Sequence, residues 1–416
     1  MQFVWPPSGE PHKPCHGVID DMDQVSRPHL ALALVVSATV LGLMGTDLVL
    51  PAVPSLPEAL GGDAASAQLV LAAYVGGTGL GLLAFGALGD RFATRTLFVG
   101  SLLLTGLVSL ACAFARSIEG LIALRALQGA VAAGPAVFAP AICRALFDER
   151  GAVRAIGALG SIESLAPALA PILGAWLLSL GGWPLSFELM AGIAFALAAL
   201  NLALPLIPQA SRRPSGRYAR LLRDPVFLRY ALSQALVLGG LLVFVFGAPA
   251  VLVRALGGSL NDFIVMQVCG IVTFILAANL AGGLAARFGA ERMIWLGTML
   301  ATAGAAAMLI YAVAGGINPL VITALFIPVN TGLGLRGPPG FYRAVIASGG
   351  DDARGSALVI LFIMIATAFG TAAVAPFIEA GLVPLALAAL ALESAALLCL
   401  LLPGLAEISS SPSPPE

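Results

Sequence analysis

Along this chain of 416 residues, long apolar runs alternate with short segments that carry nearly all of the charge. A helix needs about 20 apolar residues to cross a hydrocarbon core roughly 30 Å thick, because each residue rises about 1.5 Å. Runs of that length lie near 30–53, 67–89, 97–115, 118–143, 155–180, 186–207, 228–252, 262–286, 293–313, 318–343, 355–378 and 382–403. They predict twelve membrane-spanning helices, since a helix satisfies its own backbone N–H and C=O groups where no water can.

Composition supports this pattern: 59% apolar residues, 10% charged residues and a mean hydropathy of +0.98 exclude a water-soluble chain of this size. The net charge of −1 says little about partners, but the placement of the charges predicts orientation. Arg91 and Arg95, Arg144 to Arg154, the run from Arg212 to Arg229, Arg287 and Arg292, and Arg343 and Arg354 all fall at one set of loop ends, whereas the other set holds only Arg116 and Arg254. By the positive-inside rule both termini are expected in the cytoplasm of a multi-pass protein of the inner (plasma) membrane.

Residues 1–29 lack the apolar core of a signal peptide and read as a cytoplasmic tail, as does the Ser/Pro-rich 404–416. The longest polar connection, 208–227 with Ser211-Arg-Arg-Pro-Ser-Gly-Arg217, reads as a linker between six-helix bundles at 30–207 and 228–403. The five cysteines, odd in number and without CxxC spacing, read as small apolar packing groups.

The halves share a trace of repetition. Gly86, Leu88, Arg91 and Phe92 recur at one constant offset as Gly282, Leu284, Arg287 and Phe288, which suggests two related membrane halves in series. In the loop Gly86-Ala-Leu-Gly-Asp90-Arg91-Phe92-Ala-Thr-Arg95, Gly86 is expected to let helices approach closely. Asp90 suits a helix N-terminus, and Arg91 and Arg95 suit acids or headgroups, so the group reads as a gating latch. Arg125, followed by Gln128 and Gly129, falls near mid-membrane in span four, where an unpaired guanidinium is costly and should face a carboxylate or a wet cavity. Pro167, Pro171 and Gly174 in span five suit a kink and close packing.

Together these residues resemble the major facilitator superfamily, and within it the twelve-span drug:proton antiporters. The loop is similar to that family's Gly-x-Leu-x-Asp-Arg-x-x-x-Arg signature, Arg125 with Gln128 and Gly129 to its span-four motif, and Pro167, Pro171 and Gly174 to its antiporter motif. Asp47-Leu-Val-Leu-Pro51-Ala-Val-Pro54 resembles a stretch of the bicyclomycin/chloramphenicol-resistance branch, and Phe246-Gly-Ala-Pro249 continues that likeness. Ala93, Thr94 and Val49 depart from the patterns, and Glu163 is an added acid in span five. The resemblance implies an all-α membrane protein of two pseudo-symmetric six-helix bundles that rock about a central cavity.

A transporter without a nucleotide motif must draw on an ion gradient, and an intramembrane acid near an arginine is an economical coupling device. Asp47 at the outer part of span one is the first candidate, able to meet Arg125 directly or through water; Glu163 is the second, and Glu393 in span twelve reads mainly as structural. Tyr74, Gln128, Phe138, Gln234, Phe244, Phe246, Gln267 and Arg336 are candidates for a substrate cavity, each with packing as its alternative. Arg336 stands beside Gly337-Pro338-Pro339-Gly340, which reads as a helix break, and either faces the cavity or marks the inner boundary. All three histidines lie at or before His29, and no HExxH, GxSxG or P-loop appears in context, so neither an enzyme nor a cofactor or metal is expected. The expected function is proton-coupled efflux of a small amphiphilic compound by a monomer in a lipid bilayer, with no nucleic-acid partner. A proton-coupled uptake symporter and a non-transporting scaffold or sensor stay open.

Overall fold

The computed structural model describes residues 27–89, 91–147, 149–207, 218–349 and 352–404, and every regular element among them is a helix. Eleven helices are long and apolar enough to cross a membrane. Spans one to four are Pro28–Leu60, Ala64–Leu88, Thr94–Ala113 and Ile118–Cys143; span six is Pro184–Ala203, and span seven Pro225–Ala255. Spans eight to twelve are Leu260–Phe288, Ala290–Val313, Pro319–Ala347, Arg354–Ala380 and Leu382–Cys399. Span five is the helix Glu149–Gly181, with its described apolar stretch at Leu169–Gly181. The protein is thus a multi-pass all-α membrane protein with the expected order of spans. The expected tails fall largely, at 1–26 and 405–416, outside the described residues, as do 208–217 of the expected linker.

Local chemistry sets where the spans begin. Pro28, Pro184, Pro225 and Pro319 occupy first-turn positions, where a missing N–H costs nothing. Asp63, Ser117, Asp224 and Asn318 cap the following helices through their side chains, and Ser259 with Asp262 forms a reciprocal capping box. The Ser66 hydroxyl and N–H also hold the exposed Asp63 carboxyl below its ordinary range.

Packing repeats between the halves. Spans two and four, one and five, and three and six pack together in the first half; spans eight and ten, seven and eleven, and nine and twelve do so in the second. The halves meet through spans two and eleven and through spans five and eight, a pairing that a pseudo-twofold axis maps onto itself. Small residues make this closeness possible. A methyl at Gly77, Gly81 or Gly129 would overlap a carbonyl across the interface of spans two and four, and one at Gly332 or Gly334 would do so around span ten.

Two expectations about helix chemistry are corrected here. A methyl at Gly86 would meet nothing within 4 Å, so this glycine is not a point of close helix approach; Gly89, whose Cβ would lie 3.1 Å from Phe138, is the packed position. The Gly337–Gly340 stretch does not break span ten, which runs unbroken from Pro319 to Ala347. Wedged between spans eight and nine, span ten is sustained by packing despite the hydrogen bonds its prolines forgo.

At the face opposite the termini, the halves are linked across the 3-10 turn Leu50–Ser55 to span seven and from span two to the turn Ala375–Ala380. Arg254 reaches Glu58 there at 3.5 Å. Nearer mid-span, Gly76 and Gly79 of span two bring it against Ala368, Leu361 and Met364 of span eleven.

Candidate functional site

Arg125 lies in the second turn of span four, behind the Ser117 cap, and is fully buried. Its Nη1 donates to the Gly45 carbonyl at 2.9 Å and to Gln128 Oε1 at 2.7 Å, and its Nε donates to the Val70 carbonyl at 3.3 Å. The Gly45 carbonyl is available because span one tightens as it ends: the Val49 N–H turns to Thr46, one residue short of the α-helical partner. Tyr74 lies against the guanidinium, 4.0 Å from ring centroid to Cζ, and its hydroxyl donates to the Gly42 carbonyl at 2.6 Å. Gln128 is held in turn, its Nε2 donating to Ser109 Oγ at 2.7 Å. A buried cation is thus met by carbonyl dipoles and an aromatic face.

Asp47 is the last residue of the first helix of span one, two residues beyond Gly45, and is buried. The expected direct pairing with Arg125 is not made. Among the described residues the ion pairs are Arg229–Glu291 and Arg254–Glu58, and the forward face of Arg125 is taken by Gly45, Val70 and Gln128. Tyr74, which lies on Arg125 and bonds to the Gly42 carbonyl, joins the guanidinium to the span that carries Asp47.

The antiporter-like residues converge on the same region. A methyl at Gly174 would overlap the Leu48 carbonyl, so span five presses on the chain immediately after Asp47; Pro171 is buried and Pro167 half-buried. Glu163 belongs to the span-five helix, but its side chain lies outside the described residues. In the loop after span two, Asp90 also lies outside them, Arg91 is exposed, and Arg95 Nη2 donates to the Asn201 carbonyl at the end of span six, 3.4 Å away. Among the described residues Arg95 therefore holds a helix end and not an acid.

The cavity candidates separate into groups. Tyr74 and Gln128 belong to the Arg125 cluster. Phe138 does not: it packs edge-on to Phe85 in a separate core with Ala31, Leu34 and Phe98. Phe244 stacks on Phe326 with centroids 5.3 Å apart, and Phe246 is buried in the same large core. Gln234 and Gln267 are buried with their carbonyl oxygens unpartnered, which leaves them acceptors to spare. Arg336 marks no solvent boundary. It is fully buried, with Nη1 donating to the Ser233 carbonyl at 2.6 Å and Nη2 to Ser233 Oγ at 3.2 Å.

Sequence reasoning missed three contributors. Ser109 and Ser233 gave no signal because a serine in an apolar run resembles any other small residue. Glu291, which accepts from Arg229 Nη2 at 2.7 Å and from the Tyr230 hydroxyl, ties the start of span nine to span seven. It stands at the repeat position of Arg95, so the offset that aligned Arg91 with Arg287 held a readable clue.

Comparison with known proteins agrees with this architecture. A chloramphenicol resistance protein of Pseudomonas aeruginosa is 31% identical over 272 residues, covering 64% of this chain and 64% of its own length. A bicyclomycin resistance protein homolog of Haemophilus influenzae is 25% identical over 60% of this chain and 65% of its own length. The multidrug resistance protein MdtL of Escherichia coli is 27% identical over 53% of this chain and 57% of its own length. The matches thus span less than two thirds of each of these relatives, and they bear out the resemblance to the resistance branch. A crystal structure of a bacterial homolog of the human lysosomal transporter Spinster superposes with a TM-score of 0.68 at 13% identity, over 90% of this chain and 96% of that one, a likeness of fold. The family model of the Major Facilitator Superfamily matches residues 35–373, and the chain belongs to that superfamily of membrane transporters.

Proposed function

We propose that the protein exports small amphiphilic compounds in exchange for protons by alternating access, with Asp47 as the coupling acid and both termini in the cytoplasm. The observation that carries this reading is the buried Arg125 cluster, seated on span-one backbone two residues from a buried acid that has not joined it as an ion pair. Arg125 supplies a fixed positive field, held by carbonyls that do not titrate. Asp47 is the group free to exchange its charge, binding a proton in one state and a cationic or polar substrate group in the other.

In this cycle a proton from outside neutralises Asp47 and releases substrate; loss of that proton to the cytoplasm restores the anion that recruits the next one. A proton moving down the potential yields roughly 2.3 kcal/mol per 100 mV, enough for tens-fold accumulation. The contacts between halves at the face opposite the termini suit a conformation closed on that side, and Gly174 against Leu48 offers a surface through which span five can feel the state of span one. Export, as opposed to uptake, draws support from the resistance names of the relatives.

The test is a substrate panel that includes chloramphenicol in inverted vesicles, energised by a pH gradient. Gradient-driven accumulation by wild type and its loss in Asp47→Asn support the reading. Undiminished accumulation in Asp47→Asn removes Asp47 from coupling, and absence of flux for every compound in the wild type favours the scaffold reading.

A further inference from the structure

Span twelve is apolar along Leu382–Cys399 except for Glu393 and Ser394, and Glu393 is fully buried with neither carboxyl oxygen meeting a hydrogen-bond donor among the described residues. Buried acids used only as structural ties are hydrogen-bonded, because an unpaired polar group in a low dielectric is costly and an unpaired charge far more so. The carboxyl borders a small void of about 10 Å³ whose other walls are apolar, among them Phe244, Phe326, Met308 and Ala389, so nothing there but the acid itself could hold a water. Gly240 of span seven lets that span pack closely here: a Cβ there would stand 3.3 Å from the Ala389 carbonyl oxygen and 3.5 Å from Glu393 Oε1. Thr302 of span nine fixes the helix instead of the acid, its hydroxyl donating to the Glu393 backbone carbonyl at 3.4 Å.

A buried cation shares this neighbourhood: Arg336 of span ten binds Ser233 of span seven, about two turns along that helix from Gly240, which packs against Glu393. This guanidinium is itself incompletely used, with Nε unpartnered while its two terminal nitrogens hold Ser233. Other ionisable groups on the elements around span twelve are engaged or remote. Arg229 and Tyr230 of span seven are bound to Glu291 of span nine; Arg354 of span eleven lies on the Tyr218 ring; Glu379 sits in the turn before span twelve; and Cys399, half-buried, ends span twelve six residues beyond Glu393.

We propose that Glu393 is a second proton-carrying group, in the C-terminal half, which holds its proton while apart from Arg336 and gives it to solvent when helix motion opens the site and brings carboxylate and guanidinium together. The O–H bond breaks, the proton passes to solvent water admitted by that motion, and the new anion is balanced by the unused Arg336 donor. The inference deepens the proton-coupled reading, but its test reads the carboxyl itself and does not depend on transport.

The experiment is infrared difference spectroscopy of the purified full chain in lipid, across a pH series, with 13C-labelled glutamate to separate glutamic from aspartic carboxyls. Wild type and Asp47→Asn should both show a protonated glutamic carbonyl band that fades as pH rises. That band should vanish in Glu393→Gln, return displaced in Glu393→Asp, and persist in Arg336→Gln at alkaline pH where wild type has lost it. A wild-type spectrum with no titrating glutamic band, or one left unchanged by Glu393→Gln, overturns the proposal, and if the Glu393 variants fail to fold, a band that Arg336→Gln leaves unshifted overturns it. Failure of Asp47 as coupling acid would appear only in the vesicle assay and would leave these spectra untouched.

Discussion

Arg125 and Arg336 occupy corresponding spans of the two halves, and each reaches the first helix of its own half, but the two sites neutralise their cations differently. Arg125 bonds to Gly45, Val70 and Gln128 and rests on the Tyr74 ring, with the acid Asp47 nearby and not joined to it. Among the described residues Arg336 has Ser233 alone as a hydrogen-bond partner, and the acid in its neighbourhood, Glu393, is unpartnered. The first site is held by groups that cannot lose a proton, with Arg125 Nη2 left without a partner among the described residues as Nε is in Arg336; the second differs in its buried acid, whose two oxygens are both unpartnered. A repeated fold has therefore retained the buried cation while changing what answers its charge.

The strongest way to break this contrast is to remove each cation. Arg125→Ala strips the buried Gly45 carbonyl of its donor, leaves Gln128 Oε1 with only the weak Cys112 thiol and opens a cavity against Tyr74, so roughly 3 to 5 kcal/mol of stability and nearly all transport should be lost, read by thermal unfolding in detergent and by vesicle flux. Arg336→Ala should cost less, about 1 to 3 kcal/mol by the same unfolding measurement, because it frees one serine and leaves Glu393 able to stay neutral. Equal losses would mean that the two sites are not used differently.

Packing at the first site gives the next effect. Gly129→Val or Gly174→Val must push span two or the Leu48 carbonyl aside, which should lower stability by about 1 to 3 kcal/mol in the same assay. Tyr74→Phe keeps the ring against Arg125 and removes only the hydroxyl bond to Gly42, so about 1 kcal/mol is expected, whereas Tyr74→Leu should lose up to about 2 kcal/mol more with the cation–π contact. Smallest of all is Gly86→Ala. With open space around it, this change should fall within about 0.5 kcal/mol of wild type, and a marked loss of stability would restore the close-approach role that the geometry denies it.

How much of this was legible in the sequence follows from the physics of each feature. Twelve spans and the all-α class could be read because the hydrocarbon core imposes length and polarity on every helix. Arg125 with Gln128 and Gly129 stood out because a charge within an apolar run demands an explanation. What answered that charge did not stand out: the main acceptors are the backbone carbonyls of Gly45 and Val70, which any residue supplies, and Ser233 plays a similar part for Arg336. Gly86 was misjudged because a glycine's neighbours depend on helix rotation, which a motif does not encode, while Gly77 and Gly81 became visible as packing positions only once span four lay against them. Glu393 was read as structural from its place in span twelve; its empty surroundings emerge only when spans seven, nine and ten close around it.

The most direct test of the account compares uphill transport with exchange in a single variant. Reconstituted Asp47→Asn, whose amide can still hydrogen-bond a neutral polar substrate such as chloramphenicol, should exchange labelled for unlabelled compound across the membrane at raised concentration, but it should fail to accumulate that compound against a gradient when only a pH difference drives it. Accumulation at the wild-type level by Asp47→Asn would contradict the claim that this acid, beside a cation held by carbonyls, couples protons to transport.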